Sequence, residues 1–218
     1  MEWVVKVGGS LFPKKAIELV KSLKSTKILV IIGGGEFADL IRKYDDEIEF
    51  SNDINHETAI DSMDIMAKLL NDKIDFTKIV YTIEEAKKTS NDGFIPILII
   101  SKLLKENDPL KHSWEVTSDS IAAYIANLLK TKLLISTNVK GIYTRNPSHQ
   151  DAIFIDEINA KNLLTFDESS IDLMLPKLLL RFGIDCFVVN GNYPMRVLSI
   201  INSDRNHNFQ YTLIKGGD

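Results

Sequence analysis

Short apolar runs alternate with amphipathic segments along most of this chain. The apolar runs predict strands at Trp3 to Val7, Ile28 to Ile32, Ile79 to Thr82, Ile95 to Ile100, Leu133 to Ser136, Cys186 to Val189 and Tyr211 to Ile214. The segments between them repeat apolar residues at helical spacing and predict helices at Lys14 to Lys24, Glu36 to Tyr44, His56 to Leu70, Ser118 to Leu129, Asp172 to Phe182 and Met195 to Ile201. This order predicts an α/β fold with a mainly parallel central sheet covered by helices.

One folded unit accounts for the whole pattern. The sequence contains no repeat, low-complexity tract or long linker, so residues 1–218 are expected to form a single domain. The last strand is expected to close an edge of the sheet. In open sheets of this kind ligands bind beyond the carboxyl ends of the strands, which is where two glycine clusters fall.

Composition narrows the class of partner. The hydrophobic fraction of 44% and the charged fraction of 26% are those of an ordinary globular protein, and a net charge of -4 argues against nucleic acid or an anionic membrane as the main partner. Cys186 is the only cysteine, so no disulfide forms within one chain. We find no signal peptide and no apolar stretch of membrane-spanning length, and we expect a cytoplasmic protein that binds a small molecule.

Glycines follow the first two predicted strands and indicate phosphate chemistry. Gly8, Gly9 and Ser10 come directly after the first strand, and Gly33 to Gly35 come after the second. Glycine lets backbone N–H groups approach phosphate oxygens, whereas the alternative for the second cluster is a tight strand-to-helix turn. Lys6 either neutralises a transferring phosphoryl group or extends its charged end to solvent at a sheet edge. Neither the Walker A spacing nor the Rossmann glycine fingerprint is present.

Three later segments offer further candidates. Thr117 or Ser118 can cap the helix that follows, and Asp119 in its first turn can orient lysines around a phosphoryl group. Lys177 is either a solvated helix residue or a second cation across the phosphoryl path. The polar loop from Thr137 to Pro147 is an ordinary connection or a nucleotide-binding segment, with Arg145 free for phosphate.

Taken in order, these motifs resemble the amino acid kinase superfamily over nearly the whole chain. The matching segments are Lys6-Val-Gly-Gly-Ser10, Gly33-Gly-Gly35, Thr117-Ser-Asp-Ser120, Thr137-Asn-Val-Lys-Gly-Ile-Tyr-Thr-Arg-Asn-Pro147 and Met174-Leu-Pro-Lys177. The resemblance implies a three-layer α/β/α sandwich. It places the acceptor in an N-terminal lobe of about residues 1–112 and ATP in a C-terminal lobe of about residues 113–218.

The resemblance also implies roles for individual residues. Lys6 and Lys177 would stabilise the transferring phosphoryl group, and Asp119 would orient both lysines. The implied ATP-binding residues are Lys6, Gly8, Gly9, Ser10, Thr137, Asn138, Gly141, Ile142, Tyr143, Arg145, Pro147 and Lys177. The implied acceptor-binding residues are Gly33, Gly34, Gly35, His56, Thr117 and Ser118. Mg²⁺ is expected with ATP, and no residue is assigned as a protein ligand of the metal.

Two segments depart from the usual motifs of the superfamily. Asn138 and Lys140 replace acidic residues in the nucleotide loop, which bears on nucleotide preference. Ile171-Asp172-Leu173-Met174 replaces a Gly-Gly-Met turn before the second lysine. Oligomeric pairing through the N-terminal half is a further implication of the resemblance.

The acceptor is narrowed by resemblance as well. Glu36 rather than a histidine follows the second glycine cluster, which disfavours isopentenyl phosphate kinases, and the arginine of uridylate kinases is missing there. The chain looks most like an archaeal branch that converts an (aminomethyl)furanylmethyl phosphate to its diphosphate in methanofuran biosynthesis. Isopentenyl phosphate, UMP, a carboxylate or a carbamate remain alternative acceptors, and a non-catalytic nucleotide sensor is the alternative class.

A phosphate acceptor would need no strong general base, since it is already anionic. For His56, a capping role at a helix start is the alternative to substrate contact. The amine of such an acceptor would need a carboxylate. The sequence offers Glu36, Glu57, Asp53 and Asp61 and does not choose among them.

Overall fold

The computed structural model describes residues 1–106, 108–145, 148–166, 170–204 and 208–217. Its strands are β1 Trp3–Val7, β2 Ile28–Ile32, β3 Thr77–Val80, β4 Ile95–Leu98, β5 Lys132–Thr137, β6 Ile142–Tyr143, β7 Phe154–Ile155, β8 Glu157–Asn159, β9 Cys186–Asn190 and β10 Thr212–Lys215. Its α-helices are α1 Lys14–Ser22, α2 Gly35–Ile48, α3 Asn52–Asn71, α4 Ile83–Asn91, α5 Ile100–Glu106, α6 Ser118–Leu129, α7 Ala160–Leu163, α8 Leu175–Phe182 and α9 Pro194–Ile201. A short 3₁₀ helix spans Gly9–Leu11.

Eight of these strands form one sheet in the order β3-β4-β2-β1-β5-β9-β10-β8. Neighbouring strands are parallel except β9 and β10, which are antiparallel. The mainly parallel sheet is therefore confirmed. The expectation that the last strand closes the sheet edge is wrong, because β10 lies between β9 and β8, and the three-residue strand β8 forms that edge. A separate antiparallel pair joins β6 to β7.

Helices cover both faces of the sheet, and side chains of β1 alternate between them. Trp3, Val5 and Val7 pack in the apolar cluster on the face with α1 and α9, while Val4 packs in the cluster with α6 and α8. Lys6 follows the same alternation as Val4, so its side chain points toward the face covered by α6. Among the described helices, none combines the length and hydrophobicity that a bilayer crossing requires.

The main differences from the predicted elements lie in short or polar segments. The helix predicted from His56 begins at Asn52, with Ser51 as its cap, so the suggested helix-start role of His56 is wrong. Strand β3 ends at Val80 rather than continuing to Thr82, whose side chain caps α4. Helices α4, α5 and α7 were not predicted. In α4 only Ala86 is buried and polar side chains dominate the sequence. Helix α5 begins at Ile100, where the predicted strand was still running, and α7 has only four residues.

Candidate active site

Both glycine clusters lie at the carboxyl ends of central strands of the sheet. Strands β2, β1 and β5 are neighbours, so Gly33, Gly8 and Thr137 lie close together at the carboxyl ends of these strands. The Gly33 amide donates to Val7, and the Gly8 amide donates to Ser136. Small residues are therefore clustered at the strand ends, where ligands bind in sheets of this kind.

The two glycine loops touch each other through their backbones. A Cβ atom added to Gly9 would overlap the backbone of Gly35, and one added to Gly34 would overlap the side chains of Ser62 and Ala38. Gly35 also has a left-handed φ of +55°, which favours glycine. Glycine is required at Gly9 and Gly35 for this approach, which leaves space beside the loops for an anionic ligand.

Lys6 and Asp119 form a buried ion pair near the same strand ends. The Lys6 Nζ atom lies 2.7 Å from Asp119 Oδ1, and the two side chains are 11% and 6% exposed. Asp119 sits in the first turn of α6, whose cap is Thr117. A buried cation held by a carboxylate at a helix start is a fixed positive charge beside the glycine loops. The structure thus brings together two of the three residues implied to be catalytic.

A cavity of about 750 Å³ opens beside the glycine loops. Residues implied by the resemblance that line it are Lys6, Gly8, Gly9, Ser10, Gly33, Gly34, Gly35, His56, Thr117, Ser118 and Thr137. Further lining residues that the sequence did not single out for this role include Phe37, Asp39, Arg42, Met63, Met66 and Trp114. The lining of the cavity thus combines glycines, polar and charged side chains, and apolar side chains.

Residues 108–117 precede α6 and are here called the 108–117 loop; Trp114, Val116 and Thr117 of this loop line the cavity. Trp114 of this loop donates its indole Nε1–H to Asp45 Oδ2 of α2 at 2.7 Å, and the Arg42 guanidinium lies 4.7 Å from the centre of the indole ring. The hydrogen bond from Trp114 is the largest contribution that lowers the pKa of Asp45. These contacts fix the aromatic side chain against α2 at the cavity.

A histidine pair fastens the beginning of the same loop. His56 Nε2 lies 2.8 Å from Asp108 Oδ2, and His112 Nε2 lies 3.5 Å from the same oxygen. His112 Nδ1 lies 2.6 Å from Asp53 Oδ1. No sequence motif singled out Asp108, because its partner His56 is 52 residues away in the chain.

The cluster of His56, Asp108 and His112 has the residue types of a metal site. The two imidazole rings are stacked, with centroids 4.3 Å apart and planes 13° apart. Imidazole binds a metal through a lone pair in the plane of its ring, so stacked rings in this arrangement do not aim both lone pairs at one ion. The cluster is therefore a hydrogen-bonded clasp between α3 and the 108–117 loop.

Residues of the predicted nucleotide loop lie around β6. The Ile142 amide donates to Thr212 Oγ1 at 2.8 Å, and Tyr143 packs edge-on against Phe154. The Asn138 carbonyl accepts from the Asn190 side chain. A Cβ atom on Gly141 would overlap Thr212, so this glycine is needed for packing. These contacts order the segment that follows β5.

Several residues of the implied ATP set do not line the cavity, namely Asn138, Gly141, Ile142, Tyr143, Arg145 and Lys177. Arg145 pairs with Asp151 at 2.7 Å on the surface, so its charge is engaged away from the glycine loops. Pro147 lies outside the described residues.

Lys177 is exposed in the first turn of α8 and does not line the cavity. The pKa of Glu115 is lowered mainly by Lys111, and the positive charge of Lys177 lowers it to a smaller extent. The structure thus leaves Lys177 near the site rather than in contact with Lys6 or Asp119.

Solved structures place the fold in a known class. The crystal structure of uridylate kinase from Archaeoglobus fulgidus superimposes with a TM-score of 0.75, covering 98% of this chain and all of that one at 23% identity. This likeness confirms the predicted three-layer arrangement. The shared fold is a three-layer α/β/α arrangement built on a mainly parallel sheet.

The chain belongs to the amino acid kinase family, whose model matches residues 1–190. It is 37% identical to the (5-(aminomethyl)furan-3-yl)methyl phosphate kinase of Methanocaldococcus jannaschii, with 99% of this chain and 98% of the relative covered. It is 26% identical to a uridylate kinase of Methanococcus maripaludis over 94% of this chain and 97% of that protein. The predictions of the family and of a phosphotransferase are confirmed.

Proposed function

We propose that this protein transfers the γ-phosphoryl group of ATP to the phosphate of an (aminomethyl)furanylmethyl phosphate, which gives the diphosphate used in methanofuran biosynthesis. The observation that carries the proposal is the buried Lys6–Asp119 pair beside two glycine loops at the edge of the cavity. The 37% identity to the furan phosphate kinase over nearly the whole chain supports the choice of acceptor.

The proposed reaction needs charge stabilisation more than proton transfer. An oxygen of the acceptor phosphate attacks the γ-phosphorus of ATP, and the bond from that phosphorus to the bridging oxygen of ADP breaks. The attacking oxygen is already anionic, so no strong base is required. Lys6 would neutralise charge on the transferring group, and Asp119 would hold the lysine in place.

The glycine loops supply the remaining phosphate contacts under this proposal. Gly8, Gly9 and Ser10 would hold phosphates of ATP, and Gly33 to Gly35 would hold the phosphate of the acceptor. The close approach of Gly9 to Gly35 supports a short path between the two phosphates. Mg²⁺ would bind through the nucleotide phosphates and would neutralise their charge when bound.

Two acidic residues of α2 are the best partners for the amine of the acceptor. Of the four carboxylates suggested by the sequence, Glu36 lines the cavity, while Asp53 bonds to His112 and Glu57 lies 4.0 Å from Lys105. Asp39 lines the cavity as well. Asp61 is exposed and is not among the lining residues of the cavity. Glu36 and Asp39 therefore become the proposed ammonium partners.

The apolar lining of the cavity suits an aromatic ring. Ile60, Met63 and Met66 of α3 line the cavity, as does Trp114 of the 108–117 loop. A furan ring between these side chains would have its phosphate toward the glycines. The division into an acceptor lobe of residues 1–112 and a nucleotide lobe of residues 113–218 is part of the same proposal.

An acceptor panel tests this function. Release of ADP from Mg-ATP would be measured with the furan phosphate, isopentenyl phosphate, UMP, aspartate, acetylglutamate and carbamate. The proposal expects turnover confined to the furan phosphate. Turnover with another acceptor would move the assignment to a different kinase of the family. ATP binding without turnover on any acceptor would favour a nucleotide sensor and would contradict catalysis.

The proposed enzyme acts in the cytoplasm as an oligomer. Its single cysteine, Cys186, is buried, and burial raises the pKa of its thiol well above the usual value. A lone buried thiol is typical of proteins in a reducing compartment. Oligomer formation is supported by exposed apolar side chains on α2 and α3, which a second copy of the chain would cover.

A further inference from the structure

Asp172 accepts five hydrogen bonds from the beginnings of two helices. Its Oδ2 atom accepts from the Thr117 amide at 2.8 Å, the Thr117 hydroxyl at 2.9 Å and the Ser120 amide at 3.0 Å. Its Oδ1 atom accepts from the Ser120 hydroxyl at 2.6 Å and the Leu175 amide at 2.7 Å. All five of these hydrogen-bonding partners donate to the carboxylate.

These donors belong to the two helices that carry candidate catalytic residues. Thr117 and Ser120 flank Asp119 in the first turn of α6, and Asp119 holds Lys6. Leu175 begins α8, which carries Lys177 two residues later. A second link joins the same segments, since the Met174 amide donates to the Glu115 carbonyl at 3.3 Å.

A carboxylate is the side chain that fits this position. Both oxygens accept, whereas an asparagine would turn its NH₂ group toward donors of α6 or α8. The positive ends of both helix dipoles also favour an anion between them. Burial works against the charge, and together with the nearby Asp119 it raises the pKa of Asp172. The first turns of α6 and α8 therefore bind the same carboxylate, and burying this carboxylate costs desolvation free energy.

We infer that Asp172 is a positioning residue that sets the distance and direction of Lys177 relative to the Lys6–Asp119 pair. The inference rests on the proposed kinase function, in which both lysines stabilise the transferring phosphoryl group. Because stabilisation of this kind depends on fixed geometry, a shift of α8 against α6 would remove it without removing either lysine. Asp172 itself touches no reacting atom.

The same geometry accounts for the unusual turn before α8. A Gly-Gly-Met turn would carry no side chain at this point, whereas Ile171-Asp172-Leu173-Met174 places a carboxylate between the helices. In this chain the side chain of Asp172 ties the start of α8 to the start of α6. The departure from the usual motif thus has a structural purpose of its own.

The test compares Asp172→Asn with Asp64→Asn. Asp64 is a matched control, because it is also buried and accepts the Ile100 and Ser101 amides at the start of α5. We expect Asp172→Asn to lower kcat by about 100-fold, as a misplacement of catalytic groups does, with KM for Mg-ATP and acceptor changed by less than about threefold. Asp64→Asn is expected to lose stability and to retain kcat.

A double-mutant cycle separates positioning from general damage. If Asp172 acts by placing Lys177, the loss of kcat in the double variant Asp172→Asn, Lys177→Ala will be close to that of Lys177→Ala alone. Additive losses would overturn the inference. Ser120→Ala, which removes one donor and keeps the carboxylate, serves if Asp172→Asn does not fold, and it is expected to show a smaller loss of kcat at unchanged KM.

The outcomes distinguish this inference from the proposed function. The rates are measured with whichever acceptor the wild-type protein phosphorylates, so the identity of the acceptor does not enter. An active wild type with unchanged kcat in Asp172→Asn overturns the inference alone. A wild type that phosphorylates no acceptor overturns both.

Discussion

At the residue scale, two glycines of the site approach each other too closely for a side chain. The loop after β1 and the loop after β2 approach until no Cβ atom fits between Gly9 and Gly35. An ion pair of Lys6 and Asp119 lies beside this contact. Fixed charge and bare backbone at one place are the two features that phosphoryl transfer requires.

Substitution of Gly9 tests this contact. We expect Gly9→Ala to lower kcat/KM by about 100-fold, because the loops must separate and the phosphate contacts shift. The fold should lose about 1–3 kcal/mol from overpacking. Gly217→Ala is the control, since a Cβ atom there meets nothing within 4 Å, and it should change neither quantity. Equal activity in the two variants, measured by steady-state kinetics, would contradict the role of the contact.

The pKa of Asp172 gives a second prediction, on stability. Burial, and then the charge of Asp119, raise this pKa in the folded protein above the unfolded value. Below the unfolded pKa of about 3.9 the carboxyl is neutral in both states, and its contribution to the free energy of unfolding is complete. As pH rises through the folded pKa, that contribution is lost. Asp172→Asn cannot titrate at this position.

Urea unfolding of wild type and Asp172→Asn between about pH 4 and 7 measures the effect, because this window begins at the ordinary carboxyl pKa. The advantage of the wild type in free energy of unfolding should shrink as pH rises. An advantage that grows with pH would mean that the five hydrogen bonds lower the pKa instead, which would contradict the stated direction.

Some residues of the site could be predicted from the sequence, and others could not. Lys6 and Asp119 stand in recognisable motifs, and the structure pairs them. Asp172 read only as a departure from a motif, because its donors lie 52 to 55 residues away for α6. Trp114 carried no sign of its contact with Asp45, which is 69 residues earlier. Contacts across such separations depend on the fold and leave no local pattern.

At the scale of elements, the 108–117 loop decides the shape of the acceptor side. It is held by Asp108 to His56 at one end and by Trp114 to Asp45 near the other. The loop has no regular periodicity, so the sequence predicted neither its path nor its contacts. The seven longer strands and helices such as α3 and α6 were predicted because their buried faces repeat at regular spacing. The short strands β6, β7 and β8 were not predicted.

Trp114 provides the test at this scale. Trp114→Ala should raise the acceptor KM about tenfold through loss of an aromatic wall, while KM for Mg-ATP stays within about twofold. Trp114→Phe keeps a ring and loses only the hydrogen bond to Asp45, so a smaller change in acceptor KM is expected. An unchanged acceptor KM in Trp114→Ala would show that the loop does not contact the acceptor.

At the scale of the whole molecule, α2 and α3 carry several exposed apolar side chains. Those on or next to these helices are Phe37, Leu40, Tyr44, Ile48, Phe50, Ile54, Ile65 and Leu69. A groove beside them is lined by Phe12, Pro13 and Ile17 together with Ile65 and Leu69. A surface of this kind is typical of an interface.

The double substitution Ile65→Glu, Leu69→Glu tests whether this surface joins two copies of the chain. Sedimentation velocity should show an oligomer for the wild type and a monomer for the variant, because each copy would bring two charges into the interface. Ile153→Glu is the control, as Ile153 is 67% exposed and lies elsewhere in the chain. An oligomer that survives the double substitution would place the interface on another surface.

Under the proposed function, Lys6 promotes transfer of a phosphoryl group from ATP to a phosphate acceptor. ³¹P NMR of the furan phosphate mixed with Mg-ATP and either wild-type protein or Lys6→Ala measures this transfer. We expect the wild type to form ADP and the acceptor diphosphate in equal amounts, and Lys6→Ala, still folded by circular dichroism, to do so about 10²- to 10³-fold more slowly. Equal rates for the two proteins, or ADP without a diphosphate product, would contradict this role of Lys6.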